Sequence, residues 1–226
     1  GPICHDRCLL PLPAAVPLLP VMSCIAVIDF ETTGGSPALG DRATEVAIVI
    51  LEDGRPVERF QSLMNAGRPI PAFISQLTGI TNAMVAAAPP AEQVMREAAR
   101  FVGELPMAAH NAAFDRRFWQ AELALAGLAA PHPFICTVML SRRLYPDAPS
   151  HRLGDLASYH RLPSTGQAHR ALADAEMAAH LLGRMQDDLK HAGLGPGSEG
   201  RCDHDWLMRV QALPKQRVAQ MLAGAR

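Results

Sequence analysis

Four acids and one histidine, drawn from three separated stretches of this chain, could act together on a phosphate ester. Asp29 and Glu31 stand two positions apart in Asp29-Phe30-Glu31-Thr32-Thr33-Gly34, and a strand there turns both carboxylates to one side. Asp115 ends the run Ala109-His110-Asn111-Ala112-Ala113-Phe114-Asp115, and Asp174 ends His169-Arg170-Ala171-Leu172-Ala173-Asp174. Neighbouring carboxylates repel, and burying them without a partner costs several kcal/mol. A hard divalent cation with a taste for oxygen ligands relieves that conflict. Four such acids are the inventory for hydrolysing a phosphodiester with two divalent ions about 3.5–4 Å apart, one activating the attacking water and the other stabilising the departing 3′ oxygen. His169, if it reaches the water, is the base that takes its proton.

Each residue also has a plainer reading. Asp29 and Glu31 could be solvated acids at a strand end, and Asp115 an acid favoured by the positive end of a helix dipole. Asn111 could cap that helix, and a histidine at a helix start is often a surface residue. For His169 the functional reading is favoured by the adjoining Asp174, the small Ala171 and Ala173, and the glycine-bearing loop Pro163-Ser164-Thr165-Gly166-Gln167.

The elements that must position these groups can be read from pattern. Residues 24–30 form a buried strand; 45–51 and 57–64, joined by Asp53-Gly54, form a hairpin. Residues 89–105 are helical, with Val94, Ala98, Phe101 and Leu105 on one face. A short strand at 107–109 feeds a helix over 111–126, in which Phe114 and Phe118 face the core and leave Asp115 on a flank toward the first strand. A second short strand at 134–136 follows, then helices near 137–144, 153–160 and 170–190. A meander followed by alternating helix and strand implies an α/β domain with a mixed sheet and helices packed on it.

Length and composition agree with one domain and short extensions: 226 residues, 49% hydrophobic and 19% charged. The 21 basic and 22 acidic residues nearly cancel, which suits an enzyme holding a few nucleotides, or one delivered by a partner, better than a protein gripping long duplex DNA. The five cysteines are odd in number and irregularly spaced, so a disulfide framework is not expected and a reducing cytoplasm is. Cys4, His5, Cys8, Cys202 and His204 could be stretched into a zinc site, but no second paired-cysteine motif supports it. Residues 1–21 read as a tag scar, Gly1-Pro2, and a flexible leader, because the apolar run to Met22 is too short and too rich in proline to span a membrane. Residues 22–192 are the expected catalytic domain, and 193–226 a linker and short helical tail near 204–224. Between Ser141 and Arg170 there are five arginines (Arg142, Arg143, Arg152, Arg161 and Arg170) against two acids, a stretch that could steer phosphates toward the acids.

At DFETTG, AHNAAFD and HRALADA the sequence resembles the DEDDh exonucleases, the family of the proofreading epsilon subunit of bacterial DNA polymerase III. The resemblance covers about residues 24 to 190, and His169, five positions before Asp174, makes it the histidine version. It implies a ribonuclease H-like fold with a central five-stranded mixed β-sheet flanked by α-helices. It implies metal-dependent 3′→5′ exonuclease activity on 3′ ends of nucleic acid, DNA before RNA, releasing 5′-mononucleotides with two Mg²⁺ or Mn²⁺ ions. Asp29, Glu31 and Asp174 would bind metal, Asp115 would reach the second ion through water, and His169 would be the general base. Substrate binding carries over to Thr32, Thr33, Gly34, Gly79, Ile80, His110 and Asn111. In Leu77-Thr78-Gly79-Ile80-Thr81, Ile80 either wedges against the terminal base or packs in the core. Ala43-Thr44-Glu45-Val46-Ala47 departs from the more usual Ile-Ile-Glu-Ile-Gly while keeping Glu45. A DNA polymerase subunit is a candidate partner, and the tail with Trp206, Leu207, Val210 and Val218 either binds it or packs on the domain, the latter being preferred.

Overall fold

The apolar runs of the first half build the centre of a five-stranded sheet in the order β3-β2-β1-β4-β5. In this computed structural model, which describes residues 23–194 and 203–224, β1 is Cys24–Thr32, β2 Ala43–Glu52, β3 Arg55–Leu63, β4 Met107–Ala109 and β5 Phe134–Cys136. β1 runs antiparallel to β2 and parallel to β4, and β4 is parallel to β5, so the sheet is mixed as expected. Helices cover both faces of β1 and β2, which is why these strands read as continuous apolar sequence rather than as an alternation.

The two faces follow strand parity. Ala26, Ile28 and Phe30 with Val46 and Ile48 face α3 (Ala91–Val102) and α4 (Ala112–Leu125). Ile25 and Val27 with Val49 and Leu51 face α7 (Ala171–His191), the longest helix. Asp29 and Glu31 continue the odd-numbered face and therefore emerge on the side of α7, which carries Asp174. The far half of α7 lies so close to the β2–β3 turn that a Cβ on Gly183 would stand 2.2 Å from the Gly54 carbonyl oxygen.

Two short helices, α1 (Ala72–Thr78) and α2 (Asn82–Ala86), interrupt the stretch between β3 and α3, where no element was expected. They are too short to show an apolar stripe, and α1 leaves Phe73 and Leu77 exposed. α5 (Thr137–Leu144) and α6 (Leu153–His160) fall at their expected places. The tail is two helices rather than one, α8 (His204–Ala212) and α9 (Lys215–Gly224), because Pro214 lacks the N–H that a continuous helix needs there.

Leu207, Val210 and Val218 of this pair join the core on the α7 side. Gln211 reaches β5: its Oε1 accepts the Cys136 N–H at 2.8 Å and its Nε2 donates to the Phe134 carbonyl at 3.4 Å. His204 is likewise engaged, through Nε2 and the Met107 carbonyl at 3.0 Å. The leader 1–21, most of the linker, and Cys4, His5, Cys8 and Cys202 lie outside the described residues. Among the described residues no helix is long and apolar enough to cross a membrane.

Candidate active site

Asp29, Glu31 and Asp174 converge at the C-terminal end of β1. One ligand-capable oxygen from each lies within 4.8 Å of the others. Asp115, in the first turn of α4, stands behind them and is 2% exposed. Its Oδ1 accepts the backbone N–H of Phe30 at 3.1 Å, which ties α4 to the strand between the two acids. Phe30 points the other way, onto Phe118 at a ring-centroid distance of 6.3 Å. Phe118 is a core residue as expected, whereas Phe114 is only half-buried and walls the cleft beside the acids.

The electrostatics are those of a site short of positive charge. Burial first, then the Asp174 carboxylate, push Glu31 up to about 7, with Arg170 opposing. Burial pushes Asp115 up to about 8, against the pull of the Phe30 N–H. Asp29 is raised well above the usual carboxylate range by burial and then by Asp115, Asp174, Glu31 and Glu45. Burial also raises Asp174, partly offset by the hydrogen bond from His169. Oxygen-only donors that must either share protons or share a cation fit a hard divalent ion.

His169 stands at the mouth of this cluster. Its residue has a left-handed backbone (φ 59°), and its N–H donates to Asp174 Oδ2 at 3.0 Å while the side chain stays exposed. A non-glycine residue with positive φ is uncommon and persists only where its surroundings enforce it. The enforcement is visible one residue on. Arg170 is held by Glu45, with Nη2–Oε1 at 2.8 Å and Nε–Oε2 at 3.2 Å, and Glu45 also accepts the Ala171 N–H at 3.1 Å. Glu45 has no exposed surface and takes a further hydrogen bond from Gln61 at 2.8 Å. It thereby fixes the start of α7, and with it His169 and Asp174. The sequence carried one signal for this role: an acid at the head of the apolar run Val46–Leu51.

Asn111 also has a left-handed backbone (φ 66°) and occupies the cap position of α4 without a side-chain hydrogen bond to it, so it is not the side-chain cap weighed above. It is exposed and, with His110, lines a cavity of about 760 Å³ beside the cluster. His110 shares a hydrogen bond with Thr137 Oγ1 at 2.9 Å, and burial holds it down to about 4, so its ring is neutral at pH 7.

A second cavity, of about 430 Å³, contains Asp29, Glu31, Thr32, Gly34, Phe73, Leu77 and Thr78. Thr32 spends its hydroxyl on the Gly34 carbonyl at 2.6 Å, and Thr33 accepts the Arg42 N–H at 3.0 Å outside the cavity wall. Gly34 faces the Asp41 carboxylate so closely that a Cβ would sit 2.4 Å from Oδ1. Gly79 caps α1 in the left-handed conformation, outside the wall. Ile80 is 0% exposed and packs with Ile70 and Val85, so core packing describes its place. The apolar wall belongs instead to Phe73, 66% exposed, and Leu77, 51% exposed. Phe73 lay outside every motif, and nothing in its local pattern marked it.

The exonuclease family model RNase_T matches residues 26–182. The chain is 39% identical over 165 residues to the 3′-5′ exonuclease DinG of Bacillus subtilis, which covers 73% of this chain and 18% of that protein. It is 39% identical over 173 residues to a DNA polymerase III subunit epsilon-like protein of Rhodobacter capsulatus, covering 74% of this chain and 24% of that one. The chain thus spans less than a quarter of the length of these relatives. Among solved structures, exonuclease X in complex with 5′ overhanging duplex DNA superposes with a TM-score of 0.63 at 28% identity, covering 83% of this chain and 99% of that one.

Proposed function

The chain belongs to the RNase_T exonuclease family, and on that premise we propose that it is a metal-dependent 3′→5′ exonuclease acting on single-stranded or frayed DNA ends. The observation that carries the reading is the convergence of Asp29, Glu31 and Asp174 within 4.8 Å, backed by Asp115 and flanked by an exposed His169. These four carboxylates would hold two Mg²⁺ or Mn²⁺ ions. Bound there, such ions supply Lewis-acid polarisation of the phosphate and a more acidic water.

The protein's own groups do the rest. The imidazole of His169, on a backbone fixed by Arg170 and Glu45, accepts the proton of the attacking water. Phe73 and Leu77 form the apolar wall for the 3′-terminal base, and Thr32 and Gly34 lie beside its sugar. The bond from phosphorus to the penultimate 3′ oxygen breaks, releasing a 5′-mononucleotide and a strand one residue shorter. Neutral His110 and exposed Asn111 border the route of that strand.

Preference for DNA is supported by the DNA-bound neighbour of 28% identity and by the polymerase III-like relative. A role in proofreading or repair, in the cytoplasm and with a DNA polymerase subunit as partner, accompanies that preference. The tail is not the docking element in this reading, since Leu207, Val210 and Val218 are buried in the domain. The test is release of mononucleotides from a 3′-labelled single-stranded DNA with Mg²⁺ or Mn²⁺, then with EDTA, beside the matched RNA. Stepwise, metal-dependent shortening of the DNA is expected. Faster loss of the RNA would make the chain an exoribonuclease, and no shortening of either would refute the activity.

A further inference from the structure

We propose that the 760 Å³ cavity is the seat of the penultimate nucleotide, and that Arg142 and Arg152 grip the phosphate on that nucleotide's 5′ side. The proposal rests on the exonuclease reading and deepens it. His169 and Asp174 are the two residues common to the walls of both cavities. A phosphodiester cut at those residues has a nucleoside on either side, and each cavity can take one.

Their chemistry tells them apart. The smaller cavity holds acids and an apolar wall, and His169 is its one basic side chain. That suits the terminal nucleoside, whose single phosphate lies at the cluster. The larger cavity has Arg142 and Arg152 in its wall, and the next nucleotide brings a further phosphate that needs cations. Both arginines are exposed, and among the described residues neither has a carboxylate within ion-pair distance. Two other arginines of the same stretch are already committed. Arg143 donates to the Leu213 carbonyl at 2.8 Å, and Arg170 is clamped by Glu45.

The position of Arg152 is a consequence of local sequence. Pro146 and Pro149 stiffen the loop after α5, and Arg152 stands at the cap position of α6. The first residues of α6 share the cavity wall and no side chain caps them. The acids in this wall are Asp174, already bonded to His169, and Asp155 in the first turn of α6.

The experiment compares the dinucleotides d(TpT) and d(pTpT), which differ only in the 5′ phosphate, with the p-nitrophenyl ester of thymidine 5′-phosphate, whose nitrophenyl leaving group brings no second phosphate to the larger cavity. In the unsubstituted chain the 5′ phosphate should lower KM about tenfold, the scale of a charge-assisted contact. In Arg142→Ala, Arg152→Ala and the double variant that gain should shrink and then vanish, while hydrolysis of the p-nitrophenyl ester stays unchanged. On a longer strand each substitution should reduce the slope of log(kcat/KM) against log[salt] by about 0.7. Arg100→Ala, on the exposed face of α3, removes an equal charge and should do none of this. A 5′-phosphate gain that survives in the double variant overturns the assignment while leaving the exonuclease reading intact. Equal loss on the p-nitrophenyl ester also overturns it, because the arginines would then act on the cluster itself. An unsubstituted chain that cleaves none of the three overturns both.

Discussion

Replacing Asp29 by Asn should make the metal-free protein more stable and the enzyme nearly inactive. The Asp29 carboxylate accepts no hydrogen bond among the described residues, so the amide replaces no bond that the carboxylate was making. What it removes is charge. At 4.8 Å and an effective dielectric constant of about 20, each pair of carboxylates repels by about 3.5 kcal/mol. Proton uptake limits what the fold bears, since neutralising a carboxyl costs about 1.4 kcal/mol for each pH unit above its ordinary pKa. A gain of about 2–3 kcal/mol at pH 8 follows, or about 5–10 °C in Tm for a chain of this size. The advantage should shrink toward pH 5, where protons already relieve the crowding at little cost. With Mn²⁺ at a hundred times its Kd, the unsubstituted chain gains about 2.7 kcal/mol, and the variant much less. Losing several kcal/mol of charge stabilisation in the transition state should cost about 10³ in kcat. Thermal melts with EDTA and with Mn²⁺, beside an oligonucleotide assay, read all three effects. A metal-free Tm unchanged or lower at pH 8 would refute the crowding argument, and a retained Mn²⁺ shift with retained activity would remove Asp29 from the ligand set.

Other perturbations read the same geometry. Glu31 and Asp115 have folded pKa values near 7 and 8, above their unfolded values, so their contribution favours the fold at low pH and is lost as pH rises through those values. Metal-free Tm should therefore decline from about pH 4, the ordinary carboxyl value, to about pH 8 and be restored by Mn²⁺, with proton release on binding measurable by calorimetry in two buffers; a flat profile would contradict this. His169→Ala should lower kcat by about 10²–10⁴ yet keep the Mn²⁺-induced Tm shift, and loss of that shift would make it a ligand rather than a base. Glu45→Gln should destabilise by about 3 kcal/mol and lower kcat together, because Arg170 and the Ala171 N–H lose their shared carboxylate; a Tm unchanged by melting would refute the clamp. Gly183→Ala should cost about 1–3 kcal/mol in urea unfolding, since the new methyl meets the Gly54 carbonyl, and a silent substitution would mean that α7 stands farther from the turn.

Much of this centre was legible in the sequence because it depends on local periodicity. The two-residue rhythm of β1 puts Asp29 and Glu31 on the face of Ile25 and Val27, and covering that face requires a long helix such as α7. The five-stranded mixed sheet and the long helices follow from the same kind of pattern. What could not be read depends on distant partners. Glu45 and Arg170 are 125 positions apart, so their clamp has no local signature. Phe73 is an exposed aromatic whose importance lies only in what it faces, and Ile80, in the more suggestive motif, turned inward to Ile70 and Val85. The five arginines looked alike in sequence, yet the fold commits Arg143 to the Leu213 carbonyl and Arg170 to the Glu45 carboxylate and leaves Arg142 and Arg152 to the cavity. Pro214 split the tail into two helices whose length alone suggested one.

The side chain of Gln211 on β5 has a practical consequence for anyone who shortens this protein. β5 is the outermost strand, three residues long, and an open strand edge is a template for pairing with another chain. The amide of Gln211 occupies the N–H of Cys136 and the carbonyl of Phe134 that such a pairing would use. A chain cut before Asp203 would offer that edge to its neighbours, together with the apolar surface that Leu207 and Val210 now cover. Self-association and aggregation are the expected fate of the truncated protein. A partner or activity lost on deleting the tail would then report a sticky sheet rather than a missing docking helix.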